Sequence, residues 1–187
     1  MKRGVLVDFG LAHYEEEYIG HNEEEKVDYV PLLPPRKPGY YIKEMRPSFH
    51  AERAGTRGFR AIEVLLKSYR QTQKLDVWSV GVCLLCLATK QFPFFSSPDD
   101  ANALVEVACI FGQDVMQKAC AVYDREWQSR IPTVPKTKVP FKKIIESLNP
   151  NFKVDQSMLS FLDTCFEVDY KKRSSCCQLL QHPYLKE

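Results

Sequence analysis

Between residues 75 and 88 the chain is apolar nearly all round. Leu75, Val77, Trp78, Val80, Val82, Leu84, Leu85 and Leu87 leave little of a helix's circumference polar. Such a helix is expected to be buried on every side, at the centre of a fold. It is too short to cross a membrane, which takes roughly 18 or more apolar residues. Thr72 is a candidate cap for it, and Asp76 lies inside its first turn. A buried Asp76 needs a partner, because an unpaired buried carboxylate is costly. The rest of the chain must supply a shell. Hydrophobic residues make up 44% of the 187, enough for one core in one domain or a large piece of one.

The shell reads as mainly helical. Gly55-Thr56-Arg57-Gly58 is a turn, and residues 61–67 form a short helix. Phe92-Pro93-Phe94-Phe95 ends the central unit. Ser97-Pro98-Asp99-Asp100 predicts a helix start, with Ser97 as cap, Pro98 at the first position and acids in the first turn. That helix should run to about Phe111 and end near Gly112. Pro132, Pro135, Pro140 and Pro150 make the next stretch irregular, with one helix around residues 113–129. Residues 158–166 form a short amphipathic helix. Ser174 or Ser175 caps a last one, ending near His182-Pro183.

At the other end, Val5-Leu6-Val7 reads as a short strand that stops at Asp8-Phe9-Gly10. Residues 12–30 carry seven acids against one Lys, and residues 31–60 carry seven Lys or Arg against two acids. Neither half has an amphipathic period, so a partly disordered loop is expected. The whole chain balances to +2, which argues against a dedicated nucleic-acid binder. Its seven Cys are odd in number and mostly sit in apolar runs, so buried, inert thiols in a reducing compartment are expected. Cys83-x-x-Cys86 has a metal or redox spacing, but no second such pair follows and His is scarce. No secretory signal is expected from Met1-Lys2-Arg3-Gly4 and the short apolar run before Asp8.

The chemistry-bearing segments come in a fixed order. Asp8-Phe9-Gly10 follows a strand; an Asp there suits a hard cation held against nucleotide phosphates. Then come Arg53-Ala54-Gly55-Thr56-Arg57-Gly58-Phe59-Arg60-Ala61-Ile62-Glu63, Asp76-Val77-Trp78-Ser79-Val80-Gly81 and, near the end, Arg173. Together these resemble the C-terminal lobe of a eukaryotic protein kinase, a mainly α part of the kinase fold. The long segment between Asp8-Phe9-Gly10 and the Gly-Thr turn narrows the resemblance. So do Phe92-Pro93, Asp99-Asp100-Ala101, Ile110-Phe111-Gly112, Cys165-Phe166-Glu167 and Lys172-Arg173-Ser174-Ser175. The chain resembles the cell-division-cycle kinase family of replication initiation (the Dbf-four-dependent kinase catalytic subunits), its fungal members above all.

The resemblance implies a layout. Residues 4–12 would be the magnesium-binding strand and loop, 13–53 a flexible activation-segment insert, and 54–111 the substrate-docking loop and central helices. An irregular insert at 112–154 and terminal helices at 155–187 would follow. It implies ATP and Mg²⁺, with Asp8 as metal ligand beside Phe9 and Gly10. Thr56 would support the catalytic Asp of the family. Arg57, Gly58 and Arg60 would lie in the substrate-docking loop. Arg57 and Arg60 have the charge to read acids beside a target Ser or Thr by bidentate pairing. Alternatively, Arg60 only braces the loop. Glu63 and Arg173 would form a buried ion pair, and Asp76 would accept bonds from the catalytic loop. The implied partners are an activating regulatory subunit and, as substrates, subunits of the replicative helicase, in the nucleus; neither nucleic acid nor membrane is expected as a direct partner.

Two departures matter. Ala61-Ile62-Glu63 has Ile where the family has Pro. The 187 residues contain no His-Arg-Asp loop and no Gly-rich loop, so this chain alone is expected to be inactive, with the face that meets those parts exposed. A non-catalytic interaction module is therefore the alternative from another class. A casein-kinase-two-like or cyclin-dependent kinase is the alternative from the same class.

Overall fold

The structure is a computed structural model that describes residues 5–7, 9, 12, 55–68, 70–129 and 131–186. Among the described residues there are six α-helices and no strand. In chain order they are α1 (Ile62–Leu65), α2 (Lys74–Thr89), α3 (Asp100–Val122), α4 (Phe141–Leu148), α5 (Gln156–Cys165) and α6 (Cys176–Leu179). Short 3₁₀ turns at Arg57–Phe59 and Pro183–Leu185 precede and follow them.

Helix α2 is the hub. Helices α4, α5 and α6 pack on it, as does the Arg57–Phe59 turn. Its Trp78 is fully buried in an aromatic cluster: it stacks on Phe111 at 5.7 Å and meets the edge of Phe166 at 4.9 Å. Phe141 closes the cluster, 5.2 Å from Phe166. Burying such rings gives the core most of its driving force, at roughly 25 cal/mol per Å² of apolar surface removed from water. The helix is not covered all round, however. Asp76, Val80, Cys83 and Leu87, spaced four, three and four residues apart, form one exposed stripe, with Leu87 at 74% exposure. Uniform apolarity overstated its burial.

The helix ends obey local rules that the sequence had partly shown. Gln73, not Thr72, is the N-cap of α2, while the Thr72 hydroxyl accepts from the Lys74 amide at 3.3 Å. Asp99, not Ser97, caps α3, its carboxylate accepting from the Asn102 amide at 2.9 Å. Ser97 lies too early, because its residue pair with Pro98 precedes the first helical turn. Gly112 breaks α3 with a left-handed φ of 76°, and a Cβ there would meet the Thr137 backbone at 2.5 Å. The helix then resumes, but stops at Val122, short of residue 129. Lys67, at φ 54°, ends the short helix that begins at Ile62. Asp155 caps α5 by accepting from the Ser157 and Met158 amides, and Ser175 forms a reciprocal capping box with Gln178.

Three further expectations are corrected. Val5, Leu6 and Val7 form no strand and are 77–83% exposed; a strand needs a neighbour to pair with, and the described residues offer none. Helix α4 appears inside the stretch expected to be irregular. Pro140 is its N-cap and not a breaker, and Phe141 and Ile145 form its buried edge. Only Cys120 and Cys165 are buried, while Cys83, Cys176 and Cys177 are exposed; all seven thiols are free. Burial pushes the Cys120 thiol up to about 11 and that of Cys165 up to about 12.

Candidate functional site

Residues 55–63 carry two structures back to back, an open groove and a buried ion pair. The groove, about 400 Å³, is lined by residues 55–60 on one side and by Pro93, Phe95, Ser96 and Ser97 on the other. Thr56 is exposed on its rim, and its carbonyl accepts from the Phe59 amide at 2.9 Å to close the 3₁₀ turn. Gly58 lets the two walls meet: a Cβ there would come within 2.5 Å of the Phe95 carbonyl oxygen. Below, the Ser79 hydroxyl of α2 donates to the Phe59 carbonyl at 3.1 Å and ties the loop to the hub.

Both loop arginines turn toward the start of α3. Arg57 Nη1 donates to the Ser97 carbonyl at 3.1 Å, and its Nε lies 3.5 Å from Asp100 Oδ1. Arg60 Nε donates to the Gly55 carbonyl at 3.0 Å, and its Nη1 to the same Asp100 oxygen at 2.9 Å. Arg60 thus makes bracing contacts, while Arg57 keeps 40% of its side chain exposed. On the far wall, the Ser96 amide donates to the Glu106 carboxylate at 3.1 Å. Asp100 and Glu106 were not anticipated as parts of this site. Each sits in a helix where an acid has an ordinary surface role, and nothing in sequence spacing links residue 60 to residue 100.

Behind the groove, Glu63 and Arg173 meet in a bidentate pair, Nη1 to Oε1 at 2.7 Å and Nη2 to Oε2 at 2.9 Å, both side chains wholly buried. Arg173 also donates to the Glu167 carbonyl at 2.7 Å and the Lys74 carbonyl at 3.2 Å. Its guanidinium lies 5.2 Å from the Trp78 ring. The Tyr123 hydroxyl donates to the Val168 carbonyl at 2.8 Å and approaches Glu63 Oε2 at 3.3 Å. Burial first, then the Glu63 carboxylate, push the Tyr123 phenol well above its ordinary range. Sequence reasoning missed Tyr123, and no local signal marks it. The pair joins α1 to the C-terminal segment across 110 residues.

Asp76 is placed apart from these groups. It is exposed in the first turn of α2, with no described partner at its carboxylate, and partial burial raises its pKa. Phe9 is 68% exposed, and Asp8 and Gly10 lie outside the described residues. Among the described residues, no three His, Cys, Asp or Glu side chains cluster where they could hold a metal, and no helix is long and apolar enough to cross a membrane.

The sequence profile described as "Protein kinase domain" matches residues 39–185. The chain is 43% identical over 193 residues to "Probable cell division control protein 7 homolog 2" of Encephalitozoon cuniculi, covering 99% of this chain and 55% of that one. It is 38% identical over 205 residues to "Cell cycle serine/threonine-protein kinase hsk1" of Schizosaccharomyces pombe, covering 98% and 40%. To "Cell cycle protein kinase spo4" of the same yeast it is 35% identical over 213 residues, covering 98% and 48%. The chain spans about half the length of the curated relatives it matches.

Proposed function

Because this chain belongs to the protein kinase domain family, with cell-cycle serine/threonine kinases similar to it over nearly its whole length, we propose that it is the substrate-docking lobe of a kinase that phosphorylates Ser or Thr in control of DNA replication. The observation that carries this reading is the back-to-back arrangement of residues 55–63. One face of the segment is an open peptide-sized groove and the other is anchored by a fully buried ion pair. A docking surface needs this combination, since a peptide is positioned only as well as the wall that holds it.

In this reading Arg57 and Arg60 favour acids flanking the target residue, and Thr56 supports the catalytic Asp of the whole enzyme. Gly58 keeps the groove narrow, and Glu63 with Arg173 fixes the segment. Mg²⁺·ATP, when bound, supplies the γ-phosphoryl group. Asp8, with Phe9 and Gly10, would contribute one carboxylate to that metal, which takes several more oxygen ligands from water and phosphate. The partners of the reading are an activating regulatory subunit and, as substrates, replicative helicase subunits in the nucleus. A non-catalytic interaction module is the second reading, favoured by the exposed stripe Val80, Cys83 and Leu87 on α2.

The test begins at the 5′ end of the transcript. The chain is then expressed with any in-frame coding sequence found upstream of Met1 and incubated with Mg²⁺, γ-labelled ATP and a Ser peptide flanked by Asp. An upstream His-Arg-Asp loop with transfer abolished by Asp8→Asn is the expected result. A transcript starting at Met1, whose product retains the regulatory subunit in a pulldown but transfers no phosphate, overturns the catalytic reading.

A further inference from the structure

The groove wall holds two cations against one anion. Arg57 and Arg60 both reach Asp100 Oδ1, at 3.5 Å and 2.9 Å. The neighbouring Asp99 is engaged elsewhere. Its carboxylate caps α3, accepting from the amide of Asn102 at 2.9 Å and from its side chain at 2.7 Å, and these bonds lower its pKa. Asp100 is thus the acid in direct contact with the loop cations. It is only 15% exposed, as is Arg60, so water screens this contact less than an open surface pair. Arg57 is 40% exposed and faces the groove that both arginines line.

We infer that Asp100 is a specificity-determining residue, an internal carboxylate that offsets one of the two loop guanidiniums and so limits how strongly the groove prefers acidic over neutral peptides. This inference rests on the reading of residues 55–60 as the substrate-docking loop. The physical point is one of charge count. An acid on the substrate competes with Asp100 for the same two cations. Removing the Asp100 charge strengthens the attraction for that acid, and removing the Arg57 charge weakens it. A purely bracing role predicts otherwise: loss of Asp100 would loosen the wall and weaken every peptide alike.

The experiment measures binding by the 187-residue chain, so it needs no phosphate transfer and is separate from the test of kinase activity. Two fluorescein-labelled Ser peptides are compared by polarisation, one with Asp after the Ser and one with Asn in its place. The readout is the ratio of their affinities at 20 and 200 mM salt. Asp100→Asn is expected to raise the acidic-to-neutral ratio about two- to fivefold, the range for partly exposed charge pairs. Arg57→Gln is expected to lower it by a similar factor, and the double variant to return it near the starting value. The changes should shrink at 200 mM salt. Should Asp100→Asn fail to fold by circular dichroism, Asp100→Ser makes the same charge change while keeping a first-turn acceptor. An unchanged ratio with both peptides weakened overturns the inference. So does a starting chain that binds neither peptide.

Discussion

Removing Arg173 should unmake more of this fold than any other single truncation of a charged side chain. In Arg173→Met, the Glu63 carboxylate keeps only the 3.3 Å contact from Tyr123. The carbonyls of Glu167 and Lys74 lose their guanidinium donor, and Trp78 loses the cation 5.2 Å from its ring. Breaking one half of a buried pair costs about 3–5 kcal/mol, because the remaining charge is stranded in a poor solvent. For a chain of this length each kcal/mol lowers Tm by about 2–4 °C, so the expected fall is about 6–20 °C. Against a total stability of about 5–15 kcal/mol, that is a large share. The assay is urea denaturation followed by tryptophan fluorescence and far-ultraviolet circular dichroism, run on Arg173→Met, Glu63→Leu and the double variant. The double variant strands no charge but still leaves both carbonyls without this donor. It should therefore fall short of the summed single losses by about 0.5–3 kcal/mol, the coupling typical of contacting residues. A loss below about 1 kcal/mol for Arg173→Met, or strict additivity in the double variant, would refute the reasoning.

Three other outcomes follow from the same geometry. Gly58→Ala places a Cβ 2.5 Å from the Phe95 carbonyl. The groove wall must then shift, at about 1–3 kcal/mol, and peptide affinity should fall together with Tm in a calorimetric scan. Alkylation of the native chain at pH 7.5, read by mass spectrometry, should modify exposed Cys177 ahead of Cys83 and Cys176, whose thiols burial pushes upward. Cys165, buried with its thiol pushed up to about 12, should resist until the chain unfolds. The Asp155 carboxyl is held below its usual value by the Ser157 side chain first and by amides of the α5 start. A depressed acid stabilises fully above its unfolded pKa, about 3.9, and loses that effect as pH falls through its folded one. The stability gap between the chain and Asp155→Ala should therefore be constant from pH 7 to 5 and close on further acidification, as followed by denaturant titration at each pH.

Local physics made much of the fold legible. The hub α2 announced itself by apolarity, the break at Gly112 by a residue that accepts positive φ, and the α6 start by a serine with Gln three residues on. What stayed hidden depends on distance in sequence. The exposed stripe of α2 reflects which segments pack on it, and Val80 and Leu87 are chemically no different from the buried Val82 and Leu85. Helix α4 was legible in principle: Phe141, Ile144, Ile145 and Leu148 fall at helical spacing, and a Pro just before such a pattern starts a helix more readily than it breaks one. At the site, residues 55–60 were marked by sequence order, while their contacts with Asp100 and Glu106 were not. An arginine looking for a carboxylate has 24 acids to choose from in this chain, and only the fold makes the choice.

The departure at Ile62 shows how the groove and the core behind it constrain one another. Proline at this first helical position would fix the entry of α1, stabilising it by about 0.4–1 kcal/mol through the unfolded chain. Ile62 forgoes that, yet its own amide is one of the first-turn donors that an α-helix leaves unpaired in any case. Its side chain is wholly buried in the main core cluster, alongside Ala61 and Leu65. Burying an isoleucine contributes about 1.5–3 kcal/mol, which outweighs the lost rigidity. Rigidity at the start of α1 is also supplied one residue later, where Glu63 is clamped by Arg173. The segment that shapes the groove is thus held from below by packing and charge, and its geometry does not depend on a proline.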